Sequence, residues 1–315
     1  MKNMFKVLLV LMMSCSVLAE QLPTVIQKAH EAYLRRDGVG LITAVKLALE
    51  QAGDQNVIKK NMLGLYTAAA RNGLLKNVKL NWQLPKELTY AGFESTRRYR
   101  VENGKVVYYL ALSVGVQSET ELEQLQIIRY PDHVILDRAA QIGKWEITSD
   151  SKETHFYANS PQTSSPNEEG LYFFNIKVKD QPMMQAWFIF ANKNSSATPI
   201  INNPKSAQTL SDGRPVFSWN SFLSPEYKLG EETRIDVRVN RAGGDEPKVA
   251  QFRMIDSKAT SYKFGDATAV KIINGPDQLT IGDYSISLTY REIEKFGGLQ
   301  LKRTSSTKVP FTIKY

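Results

Sequence analysis

The apolar residues of this chain keep a helical period up to about residue 75 and a strand period after Leu80. This limits the fold more than any other feature, because a 3.6-residue pattern does not settle as a strand, nor a two-residue pattern as a helix. Leu22, Val25, Ile26, Ala29 and Tyr33 share one helical face, with Pro23 suited to a first turn and Gly38 read as the stop. Leu41, Val45, Ala48, Leu49 and Ala52 form a second face, and Ile58, Met62, Leu65, Tyr66 and Ala69 a third. Asp54 is the expected cap of the third helix. Beyond Leu80 the run Val106, Tyr108, Leu110, Leu112, Val114 and Val116 alternates strictly, as a strand with one buried face does. Further strands are expected near Trp145, over 154–157, 171–178 and 186–190, and in the last third at 235–239, 284–290 and 309–315.

The first nineteen residues read differently from the rest. Lys2 and Lys6 flank an apolar run, Val7 to Met13, and Val17-Leu18-Ala19 follows a short polar segment. That is the pattern of a secretory signal peptide, and the run is about half the length a membrane-spanning helix needs. Cleavage after Ala19 removes Cys15, the sole cysteine, which would exclude disulfides and thiol chemistry from the mature chain. A rival reading rests on the same residue. Met12-Met13-Ser14-Cys15 loosely resembles a lipobox, which would leave the protein lipid-anchored through Cys15. Removing Lys2 and Lys6 takes the net charge from +8 to +6, since no acid precedes Glu20. A modest positive excess on an exported chain fits anionic envelope polymers or headgroups.

In the last third, Pro215-Val216-Phe217-Ser218-Trp219 resembles the second strand of a fibronectin type III or Ig-like domain with its core Trp. Leu279-x-x-Gly282-Asp283-Tyr284-Ser285-Ile286 resembles the turn into the sixth strand, where such domains place a tyrosine corner. The resemblance covers roughly the last 110 residues and implies a sandwich whose Tyr284 phenol bonds back to nearby backbone. Gly170-x-Tyr172-x-Phe174-x-Ile176 repeats the form of Gly282-x-Tyr284-x-Ile286-x-Leu288. The expected fold is therefore mainly β with a helical N-terminal region and tandem Ig-like or fibronectin III-like β-sandwiches. The expected divisions are a signal peptide over 1–19, a helical region over 20–77, and sandwiches over 78–197 and 198–315. The stretch from Ala29 to Leu49 also resembles one tetratricopeptide unit, a repeat that needs neighbours to bury its faces.

Motifs that carry chemistry are scarce. His30-Glu31 opens like a zinc-protease helix, but position 34 is Leu, not a ligand. Ser149-x-x-Lys152 and Ser305-x-x-Lys308 lack a companion Lys-Thr-Gly, and Gly38-Val39-Gly40 lacks a third glycine and a preceding strand. Glu168-Glu169 reads as a solvated turn pair. No catalytic residue, metal or cofactor is assigned. Two surface features remain as binding candidates. Arg97, Arg98 and Arg100, with Tyr99 among them, could grip carboxylates, phosphates or sugar acids. Trp82 and Trp145 have polar neighbours, whereas Trp187 and Trp219 sit in apolar strands and read as core.

The sequence thus points to a periplasmic or secreted, non-catalytic envelope protein that binds a protein partner or acts in assembly. The helical region is a candidate docking surface. A glycan ligand is a further possibility, and nucleic acid is not expected. The alternatives are a polysaccharide-acting enzyme with accessory sandwiches and a surface-anchored lipoprotein.

Overall fold

The computed structural model describes residues 22–76, 78–80, 82–102, 105–163, 168–191, 199–221, 229, 233–242, 248–256, 258–266, 268 and 270–315. The segment expected to be a signal peptide, with Cys15, lies outside these. Helix α1 covers 22–34, followed by α2 (Gly38–Gln51) and α3 (Asn56–Arg71). The strands that follow are β1 (Leu88–Glu102), β2 (Lys105–Ser118), β3 (Leu122–Arg129), β4 (His133–Asp137), β5 (Lys144–Ser149), β6 (Thr154–Asn159), β7 (Gly170–Val178) and β8 (Met184–Phe190). A second series contains β9 (Ile201–Asn203), β10 (Gln208–Leu210), β11 (Val216–Trp219), β12 (Thr233–Arg241), β13 (Lys248–Met254), β14 (Ser261–Lys263), β15 (Val270–Asn274), β16 (Gly282–Phe296) and β17 (Leu299–Ile313).

The helices differ from expectation at their ends. Gly38 begins α2 rather than stopping α1, because the Asp37 side chain accepts from the Gly40 N–H at 2.9 Å and caps the helix there. Residue 55, not Asp54, occupies the cap position of α3, and its side chain makes no capping bond.

The chain forms two compact units, each discontinuous in sequence. One comprises 1–85, 121–142 and 168–193; the other comprises 86–120, 143–167 and 194–315. These differ from a contiguous division at 78 and 198, for a physical reason. Strand β1 hydrogen-bonds in parallel to β17, from Gly92 with Gln300 to Tyr99 with Thr307, and so joins the C-terminal strands. The first unit holds the sheet β4-β3-β7-β8. The second holds β9-β11-β14 and a large sheet, β15-β13-β12-β16-β17-β1-β2-β6-β5, with β10 also paired to β17.

The strand orders are those of Ig-like domains. Orders β1-β2-β6-β5 and β4-β3-β7-β8 correspond to ABED and C′CFG, and β9-β11-β14 with β13-β12-β16-β17 repeats the scheme, with no D strand among the described residues. The resemblance confined to the last third by sequence therefore extends to the middle of the chain. In the second series, Phe217, Trp219 and Tyr262 meet Val237, Phe252, Leu288 and Phe311 in one core. Phe217 packs edge-on against Phe311 at 5.7 Å, and the Trp219 indole donates to the Ala259 carbonyl at 3.0 Å.

Both corners recognised by sequence are built alike. Tyr284 donates to the Thr280 carbonyl at 3.0 Å, and Tyr172 donates to the Glu168 carbonyl at 2.5 Å. Two residues earlier stand Gly282 and Gly170, with φ of 153° and 154°, a region only glycine adopts readily. An arginine lies over each glycine. Arg129 donates to the Glu169 carbonyl and Arg241 to the Ile281 carbonyl, and each is the cross-strand partner of its corner tyrosine. Each tyrosine also stacks on a phenylalanine, Tyr172 on Phe188 at 5.2 Å and Tyr284 on Phe311 at 5.7 Å. Glu168 is correspondingly buried at 1% exposure, not a solvated turn charge.

Burial pushes the Tyr172 phenol above the ordinary tyrosine value near 10. The folded state then holds this proton more tightly than the unfolded chain. Its contribution is complete below about pH 10 and is lost as pH rises further. Tyr172→Phe is expected to lower stability by about 1–2 kcal/mol at pH 8, through the lost hydrogen bond. It should also flatten the alkaline loss, with Tyr262, raised by burial as well, keeping a residual slope. Urea unfolding between pH 8 and 11 measures both; an unchanged alkaline slope would contradict the assignment.

Candidate functional site

Strand pleating turns Tyr172, Phe174 and Ile176 into the core and Phe173 outward. Across the ladder Phe173 pairs with Trp187, so two aromatic rings share the outward face of the four-stranded sheet. Helix α2 lies against this face. The Tyr130 hydroxyl donates to the Glu50 carbonyl at 2.8 Å, and the Tyr130 ring meets Phe173 edge-on at 6.0 Å. One turn earlier on α2, the Lys46 ammonium stands 5.5 Å from the Trp187 ring centroid, 6.0 Å from that of Phe173 and 2.5 Å from Glu50 Oε1. About a quarter of each side chain of this ion pair is exposed, so the ammonium is held on three sides.

Beside this clamp opens a cavity of about 590 Å³, within the range of small-ligand and anchor pockets. Its walls are α2, the 78–80 segment and the Phe173–Trp187 pair. Val39, Ile42, Leu47, Val78 and Leu80 give it apolar walls, and Lys46, Glu50, Lys79 and Gln185 supply polar groups of comparable extent. A second groove of about 430 Å³ runs between α1 and α2, lined by Val25, Ala32 and Ala44 with Lys28, Glu31 and Arg35. Thr43 and Leu47 border both. They form a crest on α2 whose Leu47 is 40% exposed, next to Val39 at 53%.

The residues singled out in sequence do not converge within either unit. Arg97 and Arg98 are neighbours on one strand, so the pleat sends them to opposite faces. Arg97, half-buried, lies on the side of Phe93, its guanidinium 6.0 Å from the Tyr108 ring. Arg98 is exposed on the other side. The side chain of Arg100 lies outside the described residues. Strand β1 is flanked by β2 and β17, so its charges do not guard a sheet edge. Trp145, half-buried, sits opposite Ala158 at the β5 edge of the apolar face. Trp82 is half-buried in the 78–85 segment. Trp219 is core as expected, at 3% exposure. Trp187, read as core, instead lines the cavity. Lys46 escaped notice because a lysine beside Val45 and Leu47 on an amphipathic helix reads as a solvated position. Its cue was the i,i+4 spacing to Glu50.

Among the described residues no group of three or more His, Cys, Asp and Glu is placed to hold a metal ion, and no helix is long and apolar enough to cross a membrane. No family model matches the chain, and no curated relative matches it in sequence. Solved structures match in part. The N-terminal Ig1-2 module of the Drosophila receptor protein tyrosine phosphatase DLAR is 9% identical, covering 72% of this chain and 100% of that one, at a TM-score of 0.26. Dpr2 Ig1-Ig2, solved in complex with DIP-Theta Ig1-Ig3, is 13% identical over 71% and 99%, at 0.24. Murine CEACAM1b is 10% identical over 71% and 100%, at 0.19. The Ig-like assignment rests on this chain's own strand order and corners, not on overlay with these structures.

Lys46→Met keeps the apolar stem and removes the charge. It is expected to lower stability by no more than about 1.5 kcal/mol, a part-exposed ion pair and cation–π contact together. A larger loss in urea unfolding would mean that the clamp holds α2 in place.

Proposed function

We propose that this chain is an exported, non-catalytic binding protein of the bacterial envelope that engages a protein partner through its helical unit. The observation that carries the reading is the α2 crest. Thr43 and Leu47 stand between two grooves with apolar walls and polar margins, and one of these ends at the half-buried Trp187. Exposed apolar side chains beside a partly open tryptophan have the make-up of an interaction hot spot, with Lys46, Glu50 and Lys79 as polar rim. A partner loop or helix straddling the crest would bury Leu47 and Val39 and fill both grooves. The sheet β4-β3-β7-β8 of the same unit supplies rigid support for such a surface without dictating the ligand.

Export follows from the Lys2, Lys6 and Val17-Leu18-Ala19 pattern. The intact mass of protein recovered from an envelope fraction tests it. A free Glu20 supports the soluble form, an acylated Cys15 the anchored form, and an unprocessed Met1 in the cytosol would sink export altogether.

The docking surface is tested by placing a photo-crosslinking residue at Leu47 and, as control, at exposed Lys60 on α3. A protein adduct is expected from position 47 alone, reduced at least tenfold by Trp187→Ala. Equal adducts from both positions, or none from 47, would overturn the reading.

A further inference from the structure

We propose that the outward face of the large sheet binds an acidic polysaccharide. The register puts the polar residues of six adjacent strands on one surface. Arg234 of β12 stands opposite Arg291 of β16, which stands opposite Thr304 of β17, then Thr96 of β1. The next row is Asp236, Thr289, Ser306 and Arg98. The row beyond contains Arg238, Ser287 and Lys308. Arg98, Arg238 and Lys308 are exposed. Among the described residues, two acids on this part of the face are engaged. Asp236 is 3.3 Å from Arg253, and Glu94 accepts from Thr304 at 2.8 Å and from Thr96 at 3.3 Å.

Across the ladder Arg234 of β12 stands directly opposite Arg291 of β16, two guanidinium groups side by side. Nε of Arg291 is buried and has no hydrogen-bond partner among the described residues. The face thus presents Arg98, Arg238 and Lys308, cations suited to carboxylates, amid Ser and Thr hydroxyls.

The same surface continues into an aromatic platform. Gly92 and Gly115 are cross-strand partners, and the Tyr90 ring lies across both. A Cβ on Gly92 would come within 2.2 Å of the Tyr90 hydroxyl, so glycine is what lets the ring lie flat. Tyr157 approaches Gly115 from the other side and is 42% exposed. Both phenols are pinned, Tyr90 by Lys302 at 2.7 Å and Tyr157 by Asn159 at 3.1 Å. Gln117 and His155, bonded at 2.9 Å, occupy the row of Tyr90. Fixed aromatic planes bordered by planar polar groups suit sugar rings, which stack through their C–H faces and bond through in-plane hydroxyls. Arginines on the same continuous sheet suit the acid groups of the same polymer. A bilayer would use the charge but not the pinned rings.

The test uses the purified protein with oligogalacturonate, a carboxylate-bearing sugar chain. Neutral galactan, phosphatidylglycerol vesicles and oligo(dT) serve as competing probes. Oligogalacturonate is expected to bind with an affinity that falls with salt and at least tenfold above neutral galactan. Tyr157→Ala and the pair Arg238→Ala, Lys308→Ala should each weaken it at least tenfold with unchanged melting temperature, all three positions being exposed. Failure to bind oligogalacturonate overturns the proposal. So does equal affinity for galactan, and so does tighter binding of vesicles or oligo(dT) that ignores Tyr157→Ala. The Leu47 crosslink is unaffected by these variants, so this surface and the α2 crest stand or fall separately.

Discussion

The parallel ladder between β1 and β17 is the constraint on which the C-terminal unit depends. It joins strands about two hundred residues apart in sequence, and parallel pairing at that separation carries a large closure cost before any contact repays it. Two features secure it. Strands β16 and β17, fifteen residues each, form a long hairpin closed at Gly297-Gly298, so β17 extends past the sandwich core and offers a free edge. On the β1 side, Lys302 reaches Tyr90 and Thr304 reaches Glu94, which pins the register from one face. A slip by one residue would send Phe93 outward and Glu94 inward, so register and burial fix each other.

The opposite face of the same ladder is polar and yet buried. Arg303 is 5% exposed and bonds Glu294 at 3.2 Å, while Tyr290 donates to Glu292 at 3.4 Å. Buried ion pairs seldom add net stability, because desolvation offsets the attraction. Their value here is directional. A hydrophobic face would tolerate several registers between β16, β17 and β1, whereas a charge pair tolerates one.

What the sequence made legible was local. Strict alternation located the strands around Val106–Val116, Ile235–Val239 and Tyr284–Tyr290, and the Gly-x-Tyr pattern located both corners, because both signals lie within one element. The pleat also held a warning that Arg97 and Arg98 point apart, since neighbours on a strand never share a face. What stayed hidden were contacts made across the chain. Gly92 and Gly115 look like two unrelated strand glycines until the register sets them opposite each other. Trp187 looks like core because its neighbours are apolar, and only α2 arriving from sequence position 46 gives its outward ring a covering and a charge. The basic face is likewise absent from any one segment, each strand contributing only one or two cations.

The two corner modules show where this chain has diversified. Aligned on Tyr172 and Tyr284, the inward positions agree, with a phenylalanine beneath each tyrosine and an arginine over each glycine. The outward positions do not. Phe173 corresponds to Ser285, Trp187 to Pro310, and Gln126 to Arg238. One outward face became apolar and took a helix, which leaves a crest and two grooves at its border. The other is hydroxylated and cationic and, among the described residues, carries no helix. Inward positions are held by close packing, where each change costs stability, while outward ones vary at little cost. A strand scheme used twice in one chain can therefore carry two surfaces of opposed chemistry.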